Sequence, residues 1–178
     1  MATKHDLEIL NSVFNPLLPI GECPFDDIVD AELKDEEELT DSVIEAKKLE
    51  IEAVKKAEAG NVDEAIEIFG QCIQLAPRRP SGYNNRAQAY RLKGNIPAAL
   101  EDLNNTLNLS GGKGKSACLA YCQRALIYRL QNKQKEAVAD FEKAAALGSE
   151  FARSQLVLMN PYAALCNQML RKVMAQYR

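Results

Sequence analysis

Apolar and polar positions follow helical spacing along this chain, and the same pattern returns three times. Residues 85–92 (Asn-Arg-Ala-Gln-Ala-Tyr-Arg-Leu) match residues 123–130 (Gln-Arg-Ala-Leu-Ile-Tyr-Arg-Leu), while 64–69, 98–103 and 136–141 share a second pattern. Both patterns place apolar side chains three and four residues apart, on one face of an α-helix. A two-part unit that recurs in this way predicts a stack of helix pairs.

Alanines at equivalent places define the period of the repeat. Ala65 and Ala99 are 34 residues apart, and Ala99 and Ala137 are 38 apart. We map the four extra residues to the glycine-rich segment 110–116, where residues that interrupt helices are densest.

Prolines, glycines and hydroxyl residues mark the predicted helix ends. In the second copy, Pro80 and Pro97 open the two helices, because proline is tolerated in a first turn, and Gly94 ends the first helix. Ser42 stands three residues before Glu45, which is the spacing of a capping box. We therefore expect the first repeat helix to begin near Ser42.

These spacings resemble the tetratricopeptide repeat, a helix–turn–helix unit of roughly 34 residues. The similarity runs from Ala46 to about Leu147 and includes the turn glycines Gly60 and Gly94. Copy three departs from the pattern because Asn132 stands at its turn. The resemblance implies an all-α fold, a right-handed superhelix of three tetratricopeptide helix pairs with C-terminal capping helices.

The chain is expected to divide into three parts. Residues 1–41 form an acidic N-terminal segment with a short amphipathic helix, and residues 42–148 hold the repeats, at about 46–79, 80–113 and 118–148. Residues 149–178 form capping helices, because the last unit of a solenoid exposes the apolar side that a further repeat would cover. The alternative use of the final helix is docking to a partner.

Charge is distributed unevenly between these parts. Residues 1–41 contain 12 acidic residues and two lysines, a net charge of −10, whereas 42–178 contain 13 acidic and 20 basic residues, a net of +7. One interpretation is a solvated leader; the other is that the leader folds back over the basic repeats and competes with acidic partners. We also hypothesise that residues 5–30 occlude the groove of the superhelix.

Sites for chemistry are weak in this sequence. Gly114-Lys115-Ser116 lacks the glycine that a phosphate-binding loop needs five residues earlier, where Leu109 stands. Cys118 and Cys122 share a helix face, but a zinc site needs four ligands and the only histidine is in the leader. We expect no enzyme activity, cofactor or metal, and leave a small-molecule-binding protein as an unfavoured alternative.

Composition restricts partners and location. No apolar run approaches the roughly 18 residues of a membrane span, and the basic residues have no aromatic residues between them, so neither membrane nor nucleic acid is expected as a partner. Five scattered cysteines without a secretory signal favour free thiols in a reducing compartment. We expect a cytoplasmic protein, with the nucleus left open.

The resemblance also implies a binding groove, because the first helix of each tetratricopeptide pair lines the concave face. The groove residues expected from this are Lys47, Ile51, Val54, Asn84, Asn85, Gln88, Arg91, Leu119, Cys122, Gln123, Leu126 and Arg129. Asn85 should lie next to Gln123, and Arg91 next to Arg129, since each pair occupies equivalent places in adjacent copies.

Chaperone-binding family members hold C-terminal carboxylates with a clamp of Lys, Asn, Asn, Lys and Arg. The matching positions here are Glu50, Val54, Asn85, Leu119 and Gln123, so one asparagine is kept and three cations are lost. Since a charge-assisted hydrogen bond contributes about 1.5–3 kcal/mol, we expect no clamp-type binding.

The sequence therefore predicts a protein-binding adaptor. The resemblance implies association with heat-shock protein 70 class chaperones, which would have to use a surface other than the clamp. The alternative is a stabilising partner that shields a client enzyme from turnover.

Overall fold

The computed structural model describes residues 34, 35, 37, 39–160, 162, 166, 169 and 173, and helices dominate this part of the chain. The continuous helices within it are α1 (Asp41–Glu58), α2 (Val62–Leu75), α3 (Pro80–Lys93), α4 (Ile96–Ser110), α5 (Gly114–Leu130), α6 (Gln134–Ala146) and α7 (Glu150–Met159). The predicted N-terminal amphipathic helix, and the occlusion of the groove by residues 5–30, lie outside the described residues.

The helices pack as three successive pairs. Helix α1 packs on α2, α3 on α4 and α5 on α6, while each second helix also packs on the first helix of the next pair. The first helices α1, α3 and α5 additionally contact one another along the stack. This arrangement confirms the all-α repeat fold that the recurring pattern predicts.

Alanines at the predicted small positions allow the helices to approach closely. Ala53, Ala87 and Ala125 of the first helices are completely buried, as are Ala65, Ala99 and Ala137 of the second helices. Phe69, Leu103 and Phe141 lie fully buried beside them. Small and large side chains thus alternate across each contact, which is how close-packed interiors fill their volume.

Helix α1 begins slightly before the predicted residue. Thr40, not Ser42, is the N-terminal cap, and its Oγ1 accepts a hydrogen bond of 3.4 Å from the backbone N–H of Val43. Ser42 Oγ instead lies 2.9 Å from Thr40 Oγ1. The threonine two residues upstream offers the same capping chemistry, and the capping box at Ser42 was a wrong assignment.

The turns agree with the sequence signals in the second and third pairs. Gly94 ends α3 in a left-handed conformation (φ 82°), and the side chain of Asn95 caps α4 by accepting from Ala98 N–H at 3.3 Å. Asn132 adopts a left-handed φ of 59° where the repeat pattern has glycine. Asparagine tolerates that conformation better than most residues, which explains why the turn survives the departure.

The first helix of the third pair begins before the predicted repeat, because the four-residue insertion is helical. Ala125 lies eleven residues after Gly114, the first residue of α5, whereas Ala87 lies seven residues after Pro80, the first of α3. Four residues make about one helical turn. The insertion therefore lengthens α5 at its N-terminus, so that the helix begins at Gly114, four residues before the repeat predicted at about 118–148.

A two-point arginine–aspartate ion pair joins the helices of the second pair, and the third pair repeats it. Arg86 Nε and Nη2 donate to Asp102 at 2.7 and 2.8 Å, and Arg124 Nε and Nη2 donate to Asp140 at the same distances. Both aspartates are 3% exposed. These hydrogen bonds raise the pKa of both arginines above the ordinary value, although burial acts against them.

Tyrosines flank each of these arginines on both sides. The guanidinium of Arg86 lies 5.9 Å from the ring centre of Tyr83 and 5.8 Å from that of Tyr90. Arg124 stands between Tyr121 and Tyr128 at 5.6 and 5.9 Å. Because these rings attract the cation with their electron-rich faces, they hold the arginine in the orientation that the aspartate requires.

Helix α7 covers the end of the third pair. Its Ala152 is completely buried against α5 and α6, and Ser149 caps the helix by accepting from Ala152 N–H at 3.1 Å. Beyond it, the described residues Tyr162, Met169 and Val173 are helical and exposed. Helix α7 thus packs on the third pair, and the capping role expected for residues 149–178 stays a prediction.

We expect Asp102→Ala to lower the free energy of unfolding by about 3 kcal/mol, because the change leaves the arginine of a buried ion pair without its partner. Urea denaturation followed by circular dichroism measures the change. Glu101→Ala removes an exposed carboxylate one residue away and should change stability by less than about 0.5 kcal/mol. Equal effects of the two substitutions would contradict the role of the pair.

Candidate protein-binding groove

Helices α1, α3 and α5 lie side by side along one face of the stack, the face that the resemblance to the tetratricopeptide repeat implies is concave. Three apolar side chains predicted for this face are exposed: Ile51 is 59% exposed, Val54 38% and Leu119 45%. Gln88 of α3 is exposed as well. This part of the prediction places apolar groups where a partner can reach them.

One clamp-equivalent position on α1 holds a buried acid. Glu50 is 8% exposed, and its carboxylate accepts hydrogen bonds from Arg79 Nη1 at 2.5 Å and from Asn85 Nδ2 at 2.8 Å. The three residues link α1 to the start of α3. Asn85 is therefore already engaged within the chain, and sequence reasoning missed Arg79 because the arginine precedes the first residue of its helix.

The neighbour of Gln123 differs from the predicted one. Its Nε2 donates to the side-chain oxygen of Asn84 at 3.1 Å, and Asn85 turns instead toward Glu50. Asn84 is 3% exposed, so this predicted groove residue is buried between α3 and α5. Successive side chains of an α-helix point in different directions, so Asn84 faces α5 while Asn85 faces α1.

Cys122 is buried rather than exposed to the groove. Its sulfur lies 3.3 Å from Ser149 Oγ, while Cys118 Sγ donates to the backbone oxygen of Ala144 at 3.7 Å. The neighbouring Cys122 thiol, together with burial, raises the pKa of Cys118. Leu126 is half-buried and packs with the same cluster, so both residues stabilise the contact with α6 and α7.

The two groove arginines, Arg91 and Arg129, have different surroundings among the described residues. Arg129 Nη1 donates to Gln155 Oε1 of α7. Arg91 Nε and Gln123 Oε1 are buried and have no hydrogen-bond partner among the described residues. Arg91 and Arg129 therefore keep cationic groups without an acid in this part of the chain.

Lys47, the remaining predicted residue, contacts an acid from the N-terminal segment. Glu37 accepts from Lys47 Nζ and from Arg79 Nε, each at 2.6 Å. Burial acts to raise the pKa of Glu37, but the two hydrogen bonds outweigh it and hold that pKa below its ordinary value. The pair is therefore complete at neutral pH and is lost as the pH falls through the lowered pKa of Glu37.

A second acid of the N-terminal segment lies farther along the stack. The carboxylate of Asp35 accepts from the backbone N–H of Ser116 at 3.0 Å, in the first turn of α5. We call the described residues between Lys34 and Thr40 the acidic strap. The excess of negative charge led to the hypothesis that the leader folds back over the repeats, but the sequence did not single out Asp35 and Glu37 as the residues that make contact.

No cluster of three or more histidine, cysteine, aspartate or glutamate side chains in the described residues is placed to hold a metal ion. Within the same part of the chain, every helix is too short or too polar to cross a bilayer.

A family model for the tetratricopeptide repeat matches residues 56–79 and 119–147. Curated relatives resemble the whole chain. It is 48% identical to "Tetratricopeptide repeat protein 36" of Danio rerio over 100% of this chain and 96% of that protein. The proteins of the same name from Bos taurus and Homo sapiens are 49% and 48% identical, each with 100% of this chain and 97% of the relative covered.

Solved structures resemble the repeat region. The first tetratricopeptide domain of Spaghetti, determined with the HSP90 peptide SRMEEVD, has a TM-score of 0.59 at 25% identity and covers 68% of this chain and 95% of that one. The Arabidopsis OM64 tetratricopeptide domain has a TM-score of 0.55 at 20% identity and covers 74% of this chain and 98% of that one. The second likeness shows the fold alone.

We expect Arg79→Gln to lower the free energy of unfolding by about 3 kcal/mol, because Glu50 stays buried without its cation. The adjacent Arg78 is exposed, and Arg78→Gln should change stability by less than about 0.5 kcal/mol. Thermal and urea unfolding measure both variants. A small effect of Arg79→Gln would show that Glu50 does not depend on this pair.

Proposed function

This chain belongs to the tetratricopeptide repeat protein 36 family, and from that premise we propose that it is a non-enzymatic adaptor that binds a partner protein on its concave face. The observation that carries the proposal is the exposure of Ile51, Val54 and Leu119 on the first helices. Apolar side chains on the inner face of a repeat stack have no role in the core. They support binding of an extended or helical segment with apolar anchors.

The size of the expected contribution fits a modest affinity. Full burial of an aliphatic side chain stabilises a complex by about 1.5–3 kcal/mol. A micromolar complex needs about 8 kcal/mol in total, after the costs of association. Three apolar anchors therefore need support from polar contacts, which Gln88, Arg91 and Arg129 can supply to an acidic or amide group of the partner.

We extend the proposal to the mode of chaperone association. The Spaghetti domain was determined with an HSP90 peptide, yet the clamp-equivalent positions of this chain carry Glu50, Val54, Asn85, Leu119 and Gln123. Glu50 and Asn85 bind one another, and Gln123 binds Asn84. An association with a heat-shock protein 70 class chaperone would therefore use a different surface. We place this activity in the cytoplasm, with the nucleus left open.

We expect Val54→Asp/Leu119→Asp to abolish partner binding by placing two charges against the apolar anchors. A matched control, Leu75→Asp/Leu109→Asp, places the same charges on exposed leucines of the second helices α2 and α4. Affinity capture from cytosol with quantitative identification of bound proteins compares both with the parent chain. The same proteins on all three baits would contradict use of the concave face.

A labelled peptide that ends in Glu-Glu-Val-Asp should show no saturable binding to this chain at micromolar concentrations, because the cations of the clamp are replaced by other residues. The Spaghetti domain serves as the positive control in the same titration. Saturable micromolar binding that Asn85→Ala removes would refute the expectation.

A further inference from the structure

The N-terminus of α5 receives its cap from a residue 81 positions earlier in the chain. Asp35 accepts from Ser116 N–H at 3.0 and 3.3 Å and from Ser116 Oγ at 2.5 Å. Lys113, the local N-terminal cap residue, makes no side-chain cap hydrogen bond. A carboxylate at this place satisfies free N–H groups and complements the positive end of the helix dipole.

The absence of a side chain at Gly114 leaves room for this contact. A Cβ at residue 114 would lie 2.5 Å from Asp35 Oδ1 and 3.3 Å from the backbone oxygen of Lys34. The residue also adopts a left-handed φ of 78°. Any other residue at this place would displace the carboxylate, so the insertion that lengthens α5 also forms the surface that receives Asp35.

Two residues after Asp35, the acidic strap makes its second contact. Glu37 pairs with Lys47 of α1 and with Arg79 at the start of α3. One strap thereby contacts all three helix pairs. Two residues of extended chain span about 7 Å, so the contacts select carboxylates that are separated by one residue.

We propose that Lys47, Arg79, Gly114 and Ser116 form a docking site for an acidic segment of a partner protein, and that Asp35 and Glu37 of the acidic strap occupy it as an intramolecular competitor. The occupant is a chain with two carboxylates one residue apart. The site differs from the clamp positions, and its basis is the observed contacts of the strap. It can be tested without a partner, so its failure leaves the proposed adaptor function standing.

The strap is held by contacts that a partner can replace. Lys47 is 39% exposed, and ion pairs open to solvent contribute only about 0–1 kcal/mol. The strap has an advantage over a free acidic segment because it is covalently attached, which gives it an effective concentration at the site on the order of millimolar. Removing its two carboxylates should therefore free the site for acidic peptides in solution.

The test titrates a labelled peptide of residues 31–40 into the full-length parent chain and into the full-length Asp35→Asn/Glu37→Gln variant. We expect the variant to bind at least about tenfold more tightly, because its own strap no longer competes. Glu45→Gln/Glu52→Gln removes the same charge from exposed positions of α1 and should bind like the parent chain. Equal binding to parent and strap variant, or binding to neither, would overturn the proposal.

Further substitutions in the strap variant locate the site. Lys47→Gln should lower the affinity for the labelled peptide at least about threefold. Lys48→Gln, at the exposed neighbouring lysine, should leave the affinity unchanged. Gly114→Ala should remove binding, with circular dichroism confirming that the helices remain. Equal effects of the two lysine substitutions would overturn the proposal even where Gly114→Ala unfolds the chain.

The spacing rule has its own test. A Gly-Ser peptide with Asp and Glu separated by one residue should displace the labelled strap peptide from the variant. The same peptide with Asp and Glu adjacent should displace it several times less well. Equal displacement by the two peptides would show that the site attracts negative charge in general and does not recognise two carboxylates at a fixed spacing.

Discussion

Three acidic side chains lie buried against arginine in the repeat stack, and the register of the helices depends on these contacts. Asp102 and Asp140 bind arginines within the second and third pairs, while Glu50 binds Arg79 between the first pair and the second. A buried carboxylate without its cation is costly, so any sliding of one helix along another breaks a pair. The alanines pack against large side chains such as Phe69 and Leu103, and this packing also resists sliding. The ion pairs add a polar constraint on the register of the helices to this constraint of shape.

The same requirement separates this groove from a carboxylate clamp. Glu50 stands where clamp-containing family members have a lysine, and it is buried with Arg79 and Asn85 instead of facing a ligand. The cation nearest to this position is instead Arg79, at the start of α3. There Arg79 also meets Glu37 of the acidic strap. Arg79, which could otherwise bind a carboxylate of a partner, thus binds carboxylates of the chain itself. The surface left for partners is more apolar than a carboxylate clamp.

The sequence predicts those parts of the structure that depend on local spacing. Helix pairs, buried alanines and the turn at Gly94 follow from periodicity and from the conformational freedom of glycine. The contact of Gln123 with Asn84 could not be predicted, because it depends on how α3 and α5 pack together, and the two residues are 39 positions apart in sequence. The cap that Asp35 provides for α5 is still harder to predict from the sequence. Composition indicates attraction between leader and repeats, but not which of twelve acids meets which helix.

The ion pairs are unevenly distributed along the stack. At the positions of Arg86 and Asp102, the first pair carries Glu52 and Ile68, so it cannot form the internal pair that its two neighbours have. In a linear array each unit is stabilised by its own interior and by the unit beside it. The first pair therefore has its own apolar interior, with Ala53, Ala65 and Phe69, but its buried acid Glu50 is paired outside it, with Arg79. Partial unfolding should begin at this end, and the helix that bears Ile51 and Val54 is the one most able to rearrange around a bound segment.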